Sequence, residues 1–492
     1  MMCKHDELLV VQCDKNLGPA VIEKAEYIRR VYDEHISDTN TYKAVLRNDP
    51  LYYAKGIRRI LRRWIKKHQK AVNKQDLRYI RKHLRDNEDP FPVMYLTMKV
   101  HKTPLTTRPI ISCCGSLLHP LGLWVDKMLQ PLARMQRSYF KSTFELQQEL
   151  TSLDIPPGAF LFIADATSMY TNIKTTAALN EIRAFMSRNR VTLKDTPITA
   201  LNDALRIVMR NNVFTFDEKL FLQKTGTAMG TPPAPPYATI FFGIHEEALL
   251  TTYSDNLFFY RRFIDDVFGI WIPDDNTSWT DFQNEMNSYH GLDWTFKRST
   301  DQITFMDLDI TLINNSLITD LYEKAINPYL YIPPHSAHPP GMLAGLIMGN
   351  MHRIHTLCSS TDKQIQHMRT FYTRLLGRGY KPGDIVPLFQ KALHRMRPLR
   401  NETVQIDDRP SIQESIFFHL RYHPNDPPSP AIQDVFRTNV LSPDYCHHLN
   451  DVRNHSKIKI GLKRLVVAYS RAPNLGNLLT YRKLTTRPET SR

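Results

Sequence analysis

The stretch Tyr260-Arg-Arg-Phe-Ile-Asp265-Asp266-Val-Phe-Gly-Ile-Trp271 places two adjacent acids between two apolar runs. This pattern indicates a β-hairpin whose tip carries both carboxylates. Adjacent like charges are unfavourable unless a cation compensates them. Taken alone, however, such a pair also occurs in ordinary turns, so its meaning depends on the rest of the chain.

A third acid ends another apolar run one hundred residues upstream, in Phe160-Leu-Phe-Ile-Ala-Asp165. Two divalent cations held by carboxylates are the usual device of phosphoryl transfer, one activating the attacking hydroxyl and the other neutralising the leaving group. A strand-end acid, an acidic hairpin tip and a basic chain together favour the palm of a nucleic-acid polymerase.

The composition of the 492 residues points to the same kind of partner. Lys and Arg number 64 against 49 Asp and Glu, and the net charge of +15 indicates a polyanion. No apolar run approaches the roughly 20 residues that span a bilayer, and the start lacks the apolar core of a secretory signal. The six cysteines show no repeated C-x-x-C spacing. We therefore expect a soluble intracellular protein with several subdomains and no membrane partner.

Two segments concentrate the positive charge. From Lys55 to Arg85, thirteen Lys and Arg residues accompany one acid, Asp76, and apolar residues recur at helical spacing. The pattern predicts a helix whose polar face contacts phosphates, with a solvated face and nuclear-import recognition as alternatives. The predicted nucleic-acid-binding residues are Arg58, Arg59, Arg62, Arg63, Lys66 and Lys67. The second basic segment runs from Asp451 to Arg492.

Short blocks around the three acids occur in the order found in reverse transcriptases. Ile163-Ala-Asp165-Ala-Thr-Ser-Met-Tyr170-Thr-Asn-Ile173 resembles motif A, and Arg262-Phe-Ile-Asp265-Asp266-Val-Phe resembles motif C. Between them, Gly226-Thr-Ala-Met-Gly230-Thr-Pro-Pro-Ala-Pro-Pro-Tyr-Ala238 resembles motif B. Lys99-Val-His-Lys102 and Thr107-Arg108-Pro-Ile-Ile-Ser112 resemble the fingers motifs. Any one block is weak evidence for the resemblance, but the occurrence of all of them in this order is specific to reverse transcriptases.

From about Asp14 to about Leu484, the chain resembles reverse transcriptases of the Penelope-like retroelement group, whose polymerase is related to telomerase. Many such elements carry a GIY-YIG endonuclease after the polymerase, and none is visible in this sequence. The block from Cys13 to Pro19 already resembles a motif inside the family's N-terminal region. A truncated element, an incomplete gene and an endonuclease-lacking type are all compatible with these features.

The resemblance implies catalytic roles for the three acids. Asp165 and Asp265 would bind two Mg²⁺ ions, or Mn²⁺, with Asp266 beside them and contributing less directly. Tyr170 would lie beneath the sugar, where a bulky ring favours deoxynucleotides. A core tyrosine without that role is the alternative.

Further roles concern the incoming nucleotide. Arg108, with Lys99 or Lys102, would hold the triphosphate, because a guanidinium matches phosphate oxygens. Gly226 and Gly230 would let the backbone approach the template and the incoming base closely.

The resemblance also implies residues for proton transfer and for primer binding. Lys297 would protonate the leaving pyrophosphate, and Lys324 is a rival for that role. Phe305 to Leu308 would pack under the primer end. The pairs His335-x-x-His338 and His352-x-x-His355 match no standard zinc spacing well, so we expect no zinc site there.

The predicted fold is an α+β right-hand polymerase. A basic N-terminal extension (1–90) would precede the fingers (91–160), a palm with an antiparallel sheet (161–310), and a largely helical thumb with the C-terminal basic region (311–492). The predicted function is that of an RNA-directed DNA polymerase of a retroelement, acting on an RNA template, a DNA primer or target and dNTPs. We expect it in the nucleus, or otherwise in the cytoplasm. A catalytically silent nucleic-acid-binding scaffold is the alternative, and Tyr170 argues against an RNA polymerase.

Overall fold

The structure, a computed structural model, describes residues 7–85, 90–274, 278–396, 415–440 and 464–472. The described residues form two compact units, the first within 7–328 and 357–360 and the second within 329–356 and 361–472. The predicted basic segment at the C-terminus lies outside the described residues, apart from 464–472. Within the described ranges, no helix has the length and apolar character needed to cross a bilayer.

The first unit mixes helices and strands along its whole length. Its described helices are α1 (Lys24–Val31), α2 (Pro50–His68), α3 (Lys74–Arg85), α4 (His119–Arg134), α5 (Thr143–Leu150), α6 (Met169–Asn172), α7 (Thr175–Arg188), α8 (Ile198–Arg210), α9 (Ala234–Thr252) and α10 (Ser278–Ser288). Its described strands are β1 (Leu8–Gln12), β2 (Pro19–Glu23), β3 (Tyr42–Ala44), β4 (Val93–Lys99), β5 (Thr106–Ser112), β6 (Phe160–Ala166), β7 (Val213–Phe216), β8 (Lys219–Gln223), β9 (Leu257–Phe263), β10 (Asp266–Trp271), β11 (Trp294–Ser299), β12 (Gln302–Phe305), β13 (Leu308–Ile313) and β14 (Ser316–Leu321).

A four-stranded antiparallel sheet in the order β11-β6-β10-β9 forms the centre of the first unit. The inner strands β6 and β10 are almost continuously apolar because both of their faces are covered. Their register sets Trp271 opposite Phe160 at one end and Asp266 opposite Asp165 at the other. Pairing of the two apolar runs therefore brings the acids at their ends together.

A five-stranded sheet in the order β3-β8-β7-β4-β5 belongs to the same unit. Along β4, buried and half-buried residues alternate as expected for a strand with one core face, and Met94, Leu96 and Met98 point inward. Its strands come from three of the predicted segments. Strand β3 lies in the N-terminal extension (1–90), β4 and β5 lie in the fingers (91–160), and β7 and β8 lie in the palm (161–310). The division into fingers and palm stays a prediction.

The basic segment after Asp49 forms the helix expected from its spacing. Asp49 caps α2 by accepting the Tyr52 N–H at 3.1 Å, and Pro50 occupies the first turn, where its missing N–H costs nothing. The apolar stripe predicted at helical spacing faces the core, with Trp64 donating its Nε1–H to the Ala200 carbonyl oxygen at 3.0 Å. This packing on α8 leaves the basic side chains on the outer face.

The second unit is mainly helical in its first part, with α11 (Met342–Leu357), α12 (Thr361–Gly377) and α13 (Pro382–Met396). Phe371 and Leu375 of α12 and Ile385 of α13 are buried, and Tyr331 packs on Phe371 with ring centroids 5.2 Å apart. Farther along, α14 (Ser429–Val440) and the parallel pair β15 (Ser415–Arg421) and β16 (Arg464–Ser470) follow.

Candidate active site

The stretch between Tyr260 and Trp271 folds as the hairpin predicted from its sequence. Strands β9 and β10 pair from Phe263 and Asp266 onward, so Ile264 and Asp265 form a two-residue turn. Ile264 takes φ +59°, the left-handed conformation that tight hairpin turns require. The Asp265 carbonyl oxygen accepts the Ala166 N–H at 2.9 Å, which joins the turn to the end of β6.

The three predicted metal-binding acids are neighbours in the folded chain. We expected Asp165 and Asp265 on adjacent strands, and the structure shows Asp266 opposite Asp165 with Asp265 in the turn just before it. Asp165 is exposed, whereas Asp265 and Asp266 are half-buried. All three carboxylates thus lie at one end of the β6–β10 pair.

Their surroundings disfavour negative charge. Partial burial raises the pKa of each carboxyl, and the Asp265 carboxylate raises the pKa of Asp165 further. The largest effect is on Asp266, whose pKa rises to about 6 through burial and then through repulsion by Asp265 and Asp165. Clustered hard oxygen donors with unfavourable mutual charge suit Mg²⁺ or Mn²⁺, so the residues fit the predicted cations.

A buried ion pair that the sequence analysis missed supports the turn. Arg262 and Glu246 have 0% and 2% exposed side chains, and the guanidinium donates to both carboxylate oxygens at 2.6 and 2.8 Å. Arg262 also donates to the carbonyl oxygens of Ile264 and Thr239, each at 2.8 Å. The sequence signal that could have indicated this ion pair is Glu246, an acid within the largely apolar helix α9. Arg262 is therefore a positioning residue for the turn that carries Asp265.

Tyr170 follows Asp165 on the short helix α6 and is half-buried against the main core. Burial and then the charge of Asp265 raise the pKa of its hydroxyl, so the ring lies within electrostatic reach of the acids. Its carbonyl oxygen accepts the Thr227 N–H at 2.6 Å. The structure thus brings the predicted sugar-contacting residue and the motif B segment together beside the carboxylates.

Gly226 is needed where it stands, because its backbone has φ +75° and touches the α6 segment. A Cβ at this position would overlap the Tyr170 carbonyl oxygen and lie 2.7 Å from the Thr171 Cα. Gly230, at φ +122°, likewise has no room beside the Ile111 carbonyl oxygen of β5. The two predicted glycines let one loop touch the α6 segment on one side and β5 on the other.

A cleft of about 190 Å³ opens beside two of the acids. Asp165, Asp266 and Lys297 line it together with Phe305 and Met306 of the β12–β13 turn. Lys324 lies close enough to Asp266 to lower the pKa of that carboxyl. Both lysines considered for protonating pyrophosphate are therefore near the acids.

The residues predicted to hold the triphosphate lie on the β4–β5 hairpin. Arg108 donates to the Asp14 carboxylate at 3.0 Å and lies near enough to Asp265 to lower the pKa of that acid. Lys99 ends β4, and burial and then the charge of Arg108 lower its pKa, with a smaller effect from Lys102. The three basic side chains predicted to hold the triphosphate therefore form one group.

The outer face of α2 carries most of the predicted nucleic-acid-binding residues. Arg59, Arg62, Arg63 and Lys66 are exposed, and Arg58 is half-buried. Lys67 instead makes an ion pair with Asp203 of α8 at 2.7 Å. Arg62 and Lys66 line a cleft of about 280 Å³ together with Arg81 of α3.

Comparisons with known proteins bear mainly on the fold. Telomerase from Candida albicans, solved in complex with a fragment of telomeric RNA, is similar with a TM-score of 0.51 and 10% identity, over 79% of this chain and 62% of that one. The chain thus spans about three fifths of that telomerase chain. Apo telomerase from Candida tropicalis is similar with a TM-score of 0.48 and 11% identity, over 78% and 68% of the two chains.

An RNA-dependent RNA polymerase, that of BmCPV at the quiescent state, is similar with a TM-score of 0.37 and 10% identity, over 70% of this chain and 31% of the polymerase. A family model described as an animal helix-turn-helix domain matches residues 330–388, which contain α11 and α12. No curated protein sequence matches the chain. The likeness to the Candida albicans enzyme confirms the predicted α+β right-hand polymerase fold.

Replacing Gly226 by Ala should destabilise the chain by roughly 2 kcal/mol or more, because the new Cβ adds an overlap to the cost of a positive φ. Gly158 is the matched control, since it has φ +82° and a Cβ added there would meet nothing within 4 Å. Denaturant unfolding of both variants measures the difference. Equal losses for Gly226→Ala and Gly158→Ala would contradict the close approach.

The raised pKa of Asp266 predicts a pH-dependent stability in EDTA. Its value of about 6 exceeds the ordinary value near 3.8, so the folded chain binds more protons than the unfolded chain and stability falls as the pH rises through this window. Asp266→Asn should therefore raise Tm by a few degrees at pH 7, with the gain shrinking towards pH 4. Calorimetric scans against pH measure this, and Asp195→Asn, at an exposed loop acid, is the control. A gain independent of pH would contradict the burial of a charged carboxylate.

Proposed function

We propose that this chain is an RNA-directed DNA polymerase of a retroelement of the Penelope-like type. The clustering of Asp165, Asp265 and Asp266 at the ends of β6 and β10 carries the proposal. A fold holds three repelling carboxylates together only where something compensates them. A chain that served only as a scaffold would gain nothing from this arrangement, whereas nucleotidyl transfer requires it.

Asp165 and Asp265 would hold two Mg²⁺ ions, or Mn²⁺, with Asp266 beside them. When bound, the cations lower the pKa of the attacking 3′-hydroxyl and neutralise charge on the leaving pyrophosphate. The protein's part is to hold the carboxylates in position before substrates arrive. The β6–β10 pairing and the Arg262 hydrogen bond to Ile264 do this, so little reorganisation is needed when substrates bind.

The other side chains orient substrates, which is the main catalytic contribution a protein makes to phosphoryl transfer. Arg108 and Lys99 would bind the triphosphate, with Lys102 nearby. Tyr170 would pack under the deoxyribose. Lys297, which lines the cleft with two of the acids, would donate a proton to the pyrophosphate oxygen as its bond to the α-phosphate of the incoming nucleotide breaks.

The exposed basic face of α2 would bind the phosphates of the RNA template and of the RNA–DNA hybrid. Its cations at Arg59, Arg62 and Arg63, together with the net charge of +15, support a polyanionic partner. We further propose that the protein works in the nucleus, because the DNA that a retroelement must reach is there.

Primer extension on poly(rA)·oligo(dT) with Mg²⁺ or Mn²⁺ tests the function. The wild type should extend the primer, and Asp265→Asn should lower the rate by roughly a thousandfold, because it removes a ligand charge from the reacting centre. Asp195→Asn is the control and should extend normally. Tight hybrid binding by the wild type without extension would favour the scaffold instead.

Tyr170→Ala tests the choice of sugar. If the ring packs under the deoxyribose, its removal should raise ribonucleotide incorporation at least tenfold relative to dNTP incorporation, because a steric clash with the 2′-hydroxyl is worth more than about 1.4 kcal/mol. Competition between dTTP and UTP in primer extension measures the ratio. An unchanged ratio would return Tyr170 to a structural role in the core.

Salt dependence tests the face of α2. Changing Arg59, Arg62 and Arg63 to Gln should weaken hybrid binding for all sequences and flatten the plot of log K against log [salt], by about 0.9 for each phosphate that the variant no longer neutralises. Lys67→Gln is the matched control, because Lys67 already pairs with Asp203. An unchanged slope in the triple variant would leave α2 as a solvated face.

A further inference from the structure

Strands β1 and β2 pair as an antiparallel hairpin, and its tip, residues 13–18, lies against β4. Of this tip, only Asp14 has been described above, as the partner of Arg108. Cys13 forms an isolated bridge with Met98 of β4, and the Cys13 N–H donates to the Gly18 carbonyl oxygen at 2.9 Å, closing the tip. Between them, Lys15 takes φ +56°. Residues other than glycine are rarely held in this conformation, and such positions concentrate at functional sites.

Asp14 connects this tip to the predicted nucleotide site. Its Oδ1 accepts a hydrogen bond from the Arg108 Nη1 at 3.0 Å, and its side chain is only 11% exposed. Its Oδ2 is buried and has no hydrogen-bond partner among the described residues. A buried carboxylate with one unsatisfied oxygen is a poor source of stability, so holding the guanidinium is the clearest role for it.

Beside the pair of Arg108 and Asp14, Lys15, Lys99 and Lys102 lie within electrostatic reach of one another. Burial and then Arg108 lower the pKa of Lys99, and Lys102 and Lys15 lower it further. Burial and then Lys15 lower the pKa of His101 in the same way. Side chains that repel one another across two hairpins form a surface with an affinity for dense negative charge. Arg108 also acts on Asp265, so the surface reaches the acids.

The geometry points to the β1–β2 tip as a further part of the nucleotide site, in which Lys15 binds the triphosphate and Asp14 is a positioning residue for Arg108. This inference rests on the proposed function, because it adds residues to the same site. A triphosphate fits better than a nucleic-acid backbone for two reasons. The cations are crowded around one point, and that point adjoins the carboxylates where the reacting phosphate must lie.

Titration of sodium tripolyphosphate into the full chain in EDTA tests the role of Lys15 in the absence of divalent metal ions and of catalysis. Lys15→Gln should weaken binding about tenfold, the effect of losing one charge-assisted hydrogen bond, and Lys15→Arg should restore most of it. Lys194→Gln, at an exposed lysine outside the tip, is the control. Wild-type affinity in Lys15→Gln would overturn the assignment. So would a variant that binds oligo(dT) more weakly but tripolyphosphate normally.

Steady-state primer extension tests the role of Asp14. In Asp14→Asn, the guanidinium loses its charged partner, so the KM for dTTP should rise about tenfold while kcat and the affinity for primer–template change less than about twofold. Asp14→Glu should recover most of the loss. An unchanged KM, or equal losses in kcat and primer–template affinity, would show a merely structural role.

The two assays separate this inference from the function on which it rests. Normal extension by the wild type with no effect of Lys15→Gln on tripolyphosphate binding would overturn the inference alone. Loss of tripolyphosphate affinity in Lys15→Gln, in a wild-type chain that extends no primer, would support the binding site and contradict the polymerase.

Discussion

The buried pair of Arg262 and Glu246 is the interaction on which the geometry of the acids depends. Burying two charges costs several kcal/mol per ion unless nearly every donor and acceptor is satisfied. Here Glu246 also accepts from the hydroxyls of Tyr260 and Ser138, and Arg262 donates to the carbonyl oxygens of Thr239 and Ile264. The pair therefore fastens the turn before Asp265 to the helix α9, with few rotamers available to either partner.

Backbone strain and charge repulsion around the acids lower the stability of the fold. Ile264 and Ser168 occupy left-handed backbone conformations on either side of the site, each costing on the order of 1–3 kcal/mol. Three carboxylates with raised pKa values add to this cost. Apolar packing of β6 and β10, including the buried Trp271 and Phe162, offsets it. Strain and repulsion gathered at one strand end indicate selection for chemistry rather than for stability.

Local patterns in the sequence predicted the elements that hold the site. Apolar runs that end in acids predicted the β9–β10 hairpin and the end of β6, and helical spacing predicted α2. These predictions succeed because the spacing of apolar residues and the residues that favour turns are both local features of the sequence. The order of the motif blocks predicted the polymerase fold, and the positions of Gly226 and Gly230 agree with a need for close backbone approach.

Apart from the pair of Arg262 and Glu246, the interactions that sequence reasoning missed join residues far apart in the chain. Arg108 and Asp14 are 94 residues apart, and Lys67 and Asp203 are 136 apart, so neither pair leaves a periodic signal. The pairing of β3 with β8 was missed for the same reason, because it depends on loop closure across the whole first unit. Long-range pairing decides which cations face phosphates and which are neutralised within the protein.

The binding of Mn²⁺ to the ternary complex with a chain-terminated primer–template and dTTP tests the central claim most directly. Electron paramagnetic resonance counts the bound ions. The clustered carboxylates predict two ions in the wild type and in Asp195→Asn, and one or none in Asp165→Asn and Asp265→Asn. Equal numbers of bound ions in the wild type and in an Asp165→Asn/Asp265→Asn double variant would contradict it.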